Sequence, residues 1–336
     1  RPVRVADHPA VLPRIGDLVA EIREIGRTVQ RVIVKSRRQV AQDVFEFELV
    51  GDGGELLPFT AGSHVDVFLP SGIVRQYSLC NDPAQSNRYV LGVLRDANSR
   101  GGSVEMHAFE VGQSLAISAP RNLFPLADPQ APSVLFAGGI GLTPLLAMAH
   151  ELHRRGTSFE FHFCARSRER AAFAGDMAAM AFARRIRFYF DDQGDKLDVE
   201  SVVARAAAGT HFYVCGPAGF ISMIEAEASY CGRRAFFHSE LFSAEATDKA
   251  ADIPFDLILA SSGRTVRVDA GQTALDALRK AGLVVATSCE QGVCGTCLTK
   301  VLGGVPDHRD QFLTDEERSA NDVFLPCCSR ARTPEL

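Results

Sequence analysis

Three cysteines set close together near the C-terminus constrain this chain more than any other feature. Cys289, Cys294 and Cys297 follow the spacing C-x4-C-x2-C, and the adjacent pair Cys327 and Cys328 comes after a long gap. This is the plant-type spacing for a 2Fe–2S cluster, in which each iron completes a tetrahedral sulfur environment with two thiolates. Three ligands on one short loop require backbone turns that side chains would obstruct, and Gly292 and Gly295 meet that need. Small neighbours also let backbone N–H groups point at the cluster sulfurs. The competing readings are a zinc site and a structural disulfide pair. Zinc ribbons favour two C-x2-C steps, and this region has one.

Length sets a prior of roughly two or three domains for these 336 residues. At 46% hydrophobic and 23% charged residues, the chain reads as an ordinary globular protein. A net charge of −5 argues against nucleic acid and against an anionic membrane surface as partners. No apolar run approaches the ~20 residues that span a bilayer, and no signal peptide opens the sequence, which begins at Arg1. Of nine cysteines, those outside the cluster region (Cys80, Cys164, Cys215 and Cys231) lie scattered in apolar or strand-like settings. Exposed iron–sulfur chemistry suits a reducing compartment, so the expected location is cytoplasmic.

The pattern divides the chain into five stretches. Residues 1–27 form an N-terminal extension in which Ile15, Leu18, Val19, Ile22 and Ile25 make an amphipathic helical stripe after Pro13. Such a helix would dock on the main body or contact a partner chain. Residues 28–127 read as short alternating strands (Val32–Val34, Val44–Leu49, Val65–Leu69, Tyr89–Leu94) between Gly/Asn/Pro turns, the signature of a small antiparallel barrel. Residues 128–242 alternate strands with helices, as in a parallel α/β sheet. The polar, alanine-rich stretch 243–252 reads as a linker, and 253–336 as a compact unit that ends in the cysteine loop.

Two glycine signals in the α/β stretch carry chemistry. Gly138-Gly139-Ile140-Gly141-Leu142-Thr143-Pro144 falls between a predicted strand and helix, where bare glycines let a pyrophosphate approach the backbone and the positive helix N-terminus. A tight turn without ligand is the plainer reading, because this is not the G-x-G-x-x-G fingerprint. Cys215-Gly216-Pro217 again ends a strand and opens a helix. Ligands of open α/β sheets bind outside the carboxyl ends of the strands, and both signals occupy that edge.

In the barrel, Arg75-Gln76-Tyr77-Ser78 ends an apolar strand. A flavin needs an aromatic or apolar surface for its ring, polar groups for the ring edge and a cation for its phosphate, and Tyr77, Ser78 and Arg75 supply these types. Ser99-Arg100-Gly101-Gly102-Ser103, before the helix-like run Val104–Phe109, is a second phosphate-cradle candidate. Taken alone, R-x-Y-S also reads as a surface strand with one salt bridge.

With these three units in this order, the sequence resembles the phthalate dioxygenase reductase family, the reductase components of Rieske non-haem iron oxygenases, including the vanillate O-demethylase type. The resemblance covers about residues 28–336. It rests on Arg75-x-Tyr77-Ser78-Leu79-Cys80-Asn81-Asp82-Pro83, Arg100–Ser103, Gly138–Pro144, Cys215-Gly216-Pro217, the cysteine loop, Asp307-His308-Arg309-Asp310 and Cys327-x-Ser329-Arg330. It implies a multidomain α/β plus β fold: an antiparallel flavin-binding β-barrel, a parallel α/β nucleotide-binding domain and a C-terminal β-grasp plant-type ferredoxin. It implies FMN, NADH and a 2Fe–2S cluster, with Cys327 rather than Cys328 as the fourth ligand. Related reductases whose ferredoxin is N-terminal usually carry FAD, so the domain order favours FMN.

Carried over by position, Arg75, Tyr77 and Ser78 are expected to line the flavin with Val93, Leu94 and Arg95 beside it. Gly101, Gly102 and Ser103 are expected at its phosphate, and Thr143 near its ring. Gly138, Gly139, Gly141, Gly216 and Pro217 belong to the nucleotide site, with Cys215 by the nicotinamide and Glu240 and Phe242 near the flavin face. NADH delivers two electrons as a hydride, a 2Fe–2S cluster accepts one at a time, and a flavin handles both. The expected activity is therefore NADH-dependent electron transfer to a terminal oxygenase component, with no general acid, base or nucleophile. Ala165-Arg166-Ser167-Arg168-Glu169-Arg170 also offers arginines to a 2′-phosphate, against which the family favours NADH. A haem monooxygenase as the acceptor, or a redox-sensing regulatory protein, are the rival functions. Two features depart from the family pattern: the N-terminal extension and Cys328. The partner's identity is not written in these residues, although the surface around Glu290 is a candidate for choosing it.

Overall fold

The computed structural model describes residues 28–97, 99, 101–242 and 252–336. The N-terminal extension with its expected helix, Arg100 and all but the last residue of the expected linker lie outside the described residues. The first unit is a closed antiparallel sheet. Its strands are β1 (Val29–Ala41), β2 (Val44–Gly51), β3 (Ser63–Phe68), β4 (Val74–Ser78), β5 (Tyr89–Leu94), β6 (Ser114–Ser118) and the short β7 (Arg121–Asn122). The order is β4-β3-β6-β1-β2-β5, with β7 on β3. A bridge from Leu79 to Leu91 ties the end of β4 to β5 and closes the barrel. Strand alternation fills the inside: Val32, Val34, Phe47, Leu49, Val65, Val67, Leu91 and Val93 form one core.

The second unit is a five-stranded parallel sheet. Its strands are β8 (Ser133–Gly138), β9 (Phe159–Ala165), β10 (Ile186–Phe190), β11 (His211–Cys215) and β12 (Phe237–Glu240), in the order β10-β9-β8-β11-β12. The chain runs outward from β8 in one direction and then restarts at β11 beside it. The gap between the carboxyl ends of β8 and β11 is thus the topological switch point. The two glycine signals leave the sheet on either side of that gap.

Three of those glycines are used for backbone packing. A Cβ on Gly141 would sit 2.3 Å from the Cys215 carbonyl oxygen, and one on Gly138 would sit 2.9 Å from Pro217 Cδ. Gly216 has Gly138 Cα 3.0 Å from its own Cβ position. Gly139 differs: its φ is +56° and nothing lies within 4 Å of its Cβ position. The helix expected from Pro144 begins at Leu142, after a single 3-10 turn, and runs to Arg155.

The third unit pairs β13 (Phe255–Ile258) with β14 (Thr265–Val268), and the helix Ala274–Lys280 follows. Phe255, Leu257, Val268, Ala274, Leu278 and Phe324 form its core. The short strands β15 (Thr299–Lys300), β16 (Pro306–Asp307), β17 (Val323–Phe324) and β18 (Arg330–Ala331) pair β15 with β17 and β16 with β18. A parallel bridge from Asp256 to Glu335 lays the C-terminal chain beside the first strand, completing the β-grasp. Arg330, buried under this sheet, donates to the carbonyls of Ile253 at 3.0 Å and Asp269 at 3.2 Å. Among the described residues, no helix is long and apolar enough to cross a membrane.

The contrast between Gly141 and Gly139 makes the packing claim testable. Gly141→Ala drives a methyl into the backbone of β11 and is expected to cost about 3 kcal/mol, the upper range of overpacking. Gly139→Ala meets only the left-handed backbone penalty of about 1–2 kcal/mol. Urea unfolding of the two variants should rank them in that order, and equal midpoints would refute the packing account.

Candidate functional site

A cavity of about 840 Å³ lies where the three units meet. The barrel contributes Arg75, Gln76, Tyr77 and Ser78 from β4, with Leu94 and Ser103. The α/β unit adds Ile140 from the switch-point turn and Thr143 from the helix after it, then Glu240 at the end of β12 and Phe242 beyond it. Cys289, Gln291, Cys294 and Phe312 of the ferredoxin unit close it. Residues expected at three separate cofactors therefore share one space.

On the barrel wall, β4 is half-buried over Val74–Tyr77 and presents its polar side chains to the cavity. Tyr77 is held in the phenol form by burial, which pushes its pKa up, and its Oη is buried without a hydrogen-bond partner. The Arg75 side chain lies over the start of the helix Gly102–His107. A Cβ on Gly102 would fall 2.5 Å from Arg75 Nε and 2.7 Å from its Cγ. Only a glycine lets the guanidinium rest there, so cation and turn form one cradle. Ser103 Oγ accepts the Asp96 N–H at 3.1 Å. Val93 points into the barrel core, whereas its neighbours Gly92 and Leu94 face the cavity. Arg95 lies outside the lining, and its N–H donates to Asp43 O at 2.7 Å.

At the switch point, Cys215 is fully buried and stands in register with Glu240 on the neighbouring strand. Burial, followed by the nearby Glu240 charge, pushes the Cys215 thiol well up. Glu240 is a more telling group. Burial raises its carboxyl to about 8, and its Oε2 has no hydrogen-bond partner. It is thus a neutral acid at the edge of a polar cavity.

Thiol hydrogen bonds join Cys289 to Cys294, and Cys327 to both Cys297 and Cys328. A hydrogen bond from the Cys289 thiol holds Cys294 low, at about 5, with Thr296 Oγ1 3.2 Å from the Cys294 sulfur. Cys297 is likewise held low by a hydrogen bond from Cys327. The four expected ligands do not converge on one point: among the described residues, no three metal-ligating side chains gather around a single ion position. No disulfide joins any of the nine cysteines. The Gln291 N–H points at Cys289 Sγ at 3.3 Å, the kind of amide-to-sulfur contact a cluster uses. Cys328 packs beneath the loop, its sulfur 2.5 Å from where a Cβ on Gly292 would be.

Buried polar atoms without partners are rare in folded proteins and ask for an explanation. Tyr77 Oη, Glu240 Oε2 and Gln291 Oε1 are three such atoms, one from each unit, and all three residues line this cavity. Together with the Arg75–Gly102 cradle, they fit an extended polar-edged ligand such as a flavin. The cysteine loop and Cys327 fit a 2Fe–2S cluster.

Sequence reasoning missed His64, Asp66 and Gln291. His64 and Asp66 alternate on one face of β3, in a strand otherwise apolar, which is a legible oddity. Burial, then Arg121, pulls the His64 imidazole down to about 4, so it faces the cavity neutral. Nothing local marks Gln291 apart from its place in the cysteine loop.

Comparison with known proteins agrees with this geometry. The model of the 2Fe–2S iron–sulfur cluster binding domain matches residues 257–332. Vanillate O-demethylase oxidoreductase of Pseudomonas putida is 49% identical over 308 residues, which is 90% of this chain and 98% of that protein. The solved structure of phthalate dioxygenase reductase, described as modular for electron transfer from pyridine nucleotides to [2Fe–2S], superposes with a TM-score of 0.76 at 35% identity. It covers 93% of this chain and 98% of its own. An intact type IV self-sufficient cytochrome P450 monooxygenase gives 0.77 at 38% identity, covering 92% of this chain but 40% of that one.

The raised Glu240 carboxyl predicts a pH signature in the cofactor-free protein. Between the ordinary 4.5 and about 8 the folded state holds a proton that the unfolded state has lost. The Glu240 contribution to stability must therefore fall as pH rises through that window, by up to about 1.4 kcal/mol per unit, against the opposite slope that His64 and His162, both held down at about 4, add below 6.5. Glu240→Gln should remove that slope in urea midpoints taken across the window. A variant that keeps the wild-type slope would show that Glu240 is not the group responsible.

Proposed function

The chain belongs to the family of oxygenase reductases that includes vanillate O-demethylase oxidoreductase and phthalate dioxygenase reductase, and from that premise we propose that it carries electrons from NADH through FMN and a 2Fe–2S cluster to a terminal oxygenase. The observation that carries this reading is the single cavity shared by the barrel, the switch point and the cysteine loop. When bound, the nicotinamide supplies a hydride, the flavin exchanges electrons in twos or ones, and the cluster passes one at a time.

The chain's own residues bind, orient and insulate these groups. Arg75 with Gly101, Gly102 and Ser103 holds the flavin phosphate, a compact cradle suited to FMN. Tyr77, Ser78, Thr143 and Phe242 flank the ring, with Leu94 at its rim. Gly139, the one open glycine of its turn, lets the nucleotide pyrophosphate approach at the switch point. Cys215 underlies the nicotinamide, and neutral Glu240 offers an O–H donor without placing a second charge there. Cys289 with Cys294, and Cys297 with Cys327, ligate the two irons. A reducing compartment, the cytoplasm, suits a cluster with thiolate ligands and the other cysteines, none of which is in a disulfide.

NADH is favoured over NADPH by what surrounds the exposed arginines after β9. The Arg168 guanidinium lies 5.0 Å from the Phe190 ring centroid. The Asp192 N–H donates to Arg166 O at 3.1 Å, so the turn that carries the exposed Asp191 and Asp192 adjoins the arginine segment. Negative charge at that edge opposes a 2′-phosphate. The acceptor we favour is a Rieske non-haem iron oxygenase or demethylase, because the demethylase reductases match along nearly their whole length. The P450 relative, whose matching part is a fraction of a longer chain, supports a haem monooxygenase as the second reading.

Anaerobic titration with NADH should bleach both a flavin and an iron–sulfur absorbance band, and bleaching of neither would overturn the reading. In Cys294→Ser the iron–sulfur band should be lost while NADH still reduces the flavin. Loss of flavin reduction in a folded variant would contradict the division between units. Catalytic efficiency with NADH should exceed that with NADPH, and the flavin released by denaturation should be FMN.

A further inference from the structure

The cluster loop reaches the barrel through a buried polar contact that joins residues 222 positions apart. Ser288, immediately before Cys289, donates its hydroxyl to Asp66 Oδ1 at 2.9 Å. Both residues are almost fully buried, at 2% and 1% exposure. Asp66 is anchored from its own side: Arg121 Nη2 donates to its two oxygens at 2.8 and 2.7 Å, and its N–H donates to Ser118 Oγ at 2.9 Å. The barrel therefore fixes the carboxylate, and the loop comes to it.

Two neighbours show what the contact positions. His64, one step along the same face of β3, lines the shared cavity, and so does Cys289, the next residue after Ser288. The hydrogen bond thus sits at the seam where the cavity passes from barrel to cluster loop. Nothing in the folding of either unit requires it. The Asp66 charge is already matched by Arg121, and a serine hydroxyl in a glycine-rich loop has little to gain from burial unless a partner waits there.

We propose that Asp66 is a positioning residue that docks the cluster loop on the barrel through Ser288, and that this hydrogen bond sets how the cluster faces the flavin cavity. The inference rests on the proposed function only for its second half, since the docking itself is a property of the chain.

The experiment compares Ser288→Ala, Asp66→Ala and the double variant in the full-length, cofactor-loaded protein. Arg121 is partly solvent-exposed, so it can rehydrate when Asp66 is removed. The first readout is hydrogen–deuterium exchange. Residues 63–68 and 286–292 should lose protection together in either single variant, although each substitution lies in only one of these segments. The second is rapid mixing with NADH. Flavin bleaching should keep its wild-type rate, while cluster bleaching slows by about tenfold, within the range that small misplacements produce.

The double variant should be no slower than the worse single one, the mark of two residues acting through one contact. Effects that multiply, or exchange that rises only in the mutated segment, would overturn the docking role. If Ser288→Ala fails to hold a cluster, Asp66→Ala decides the matter, because it lies far from the ligands in sequence. Wild-type protein whose flavin ignores NADH would sink the proposed function, and the exchange result would still judge the docking.

Discussion

Hydride transfer tolerates very little slack between donor and acceptor, and the two units that must meet this demand are fused by a common apolar core. Val44, Ala61, Cys80, Val90 and Phe124 of the barrel belong to the same buried cluster as Leu142, Leu145 and Phe173 of the α/β unit. At its centre, Gly92 leaves room for the Thr143 methyl and the Phe173 ring, each 2.9 Å from where a Cβ would be. Phe173 adopts a left-handed backbone with φ 59° to deliver that ring, a strain of about 1–2 kcal/mol for an L-residue. The seam thus sets the distance between Tyr77 on one side and Glu240 on the other. Because packed cores are close to crystalline in density, that distance is not easily changed.

The ferredoxin unit is held differently. Among the described residues, a Ser288–Asp66 hydrogen bond joins it to the barrel, backed by the buried Asp66–Arg121 pair, and its buried apolar clusters are its own. Domain contacts that are small and polar permit relative movement where large apolar ones do not. A one-electron step needs proximity but no aligned orbitals of the kind a hydride requires. The chemistry at each junction therefore matches its physics: an apolar weld where geometry is strict, and a polar clasp where the unit has a second protein to meet.

Much of this was legible in the sequence because the signals were local. Strand alternation gave the barrel, and the β8 and β11 turns gave the sheet edge. The cysteine spacing gave the loop. What escaped depended on distant pairing. Asp66 in the apolar run of β3 was visible as an oddity, but its partner Ser288 lies in another unit and has no local mark. The glycines at 138, 141 and 216 were readable as glycines, yet their main use, letting two turns touch, emerges only when β8 and β11 lie side by side. Val93 was carried over with its neighbours, but strand alternation turns it into the core while Gly92 and Leu94 face the cavity.

The unpartnered atoms in the cavity tie cofactor binding to domain assembly. Tyr77 Oη, Glu240 Oε2 and Gln291 Oε1 come from three different units and are buried, and their residues line the cavity those units share. A buried polar atom left unsatisfied costs roughly 1–3 kcal/mol, so a polar group that meets these atoms is favoured in the cavity. A ligand that meets these atoms removes the penalty and stabilises the closed arrangement by mass action. Where one ligand spans atoms from all three units, binding it and holding the units together become linked equilibria.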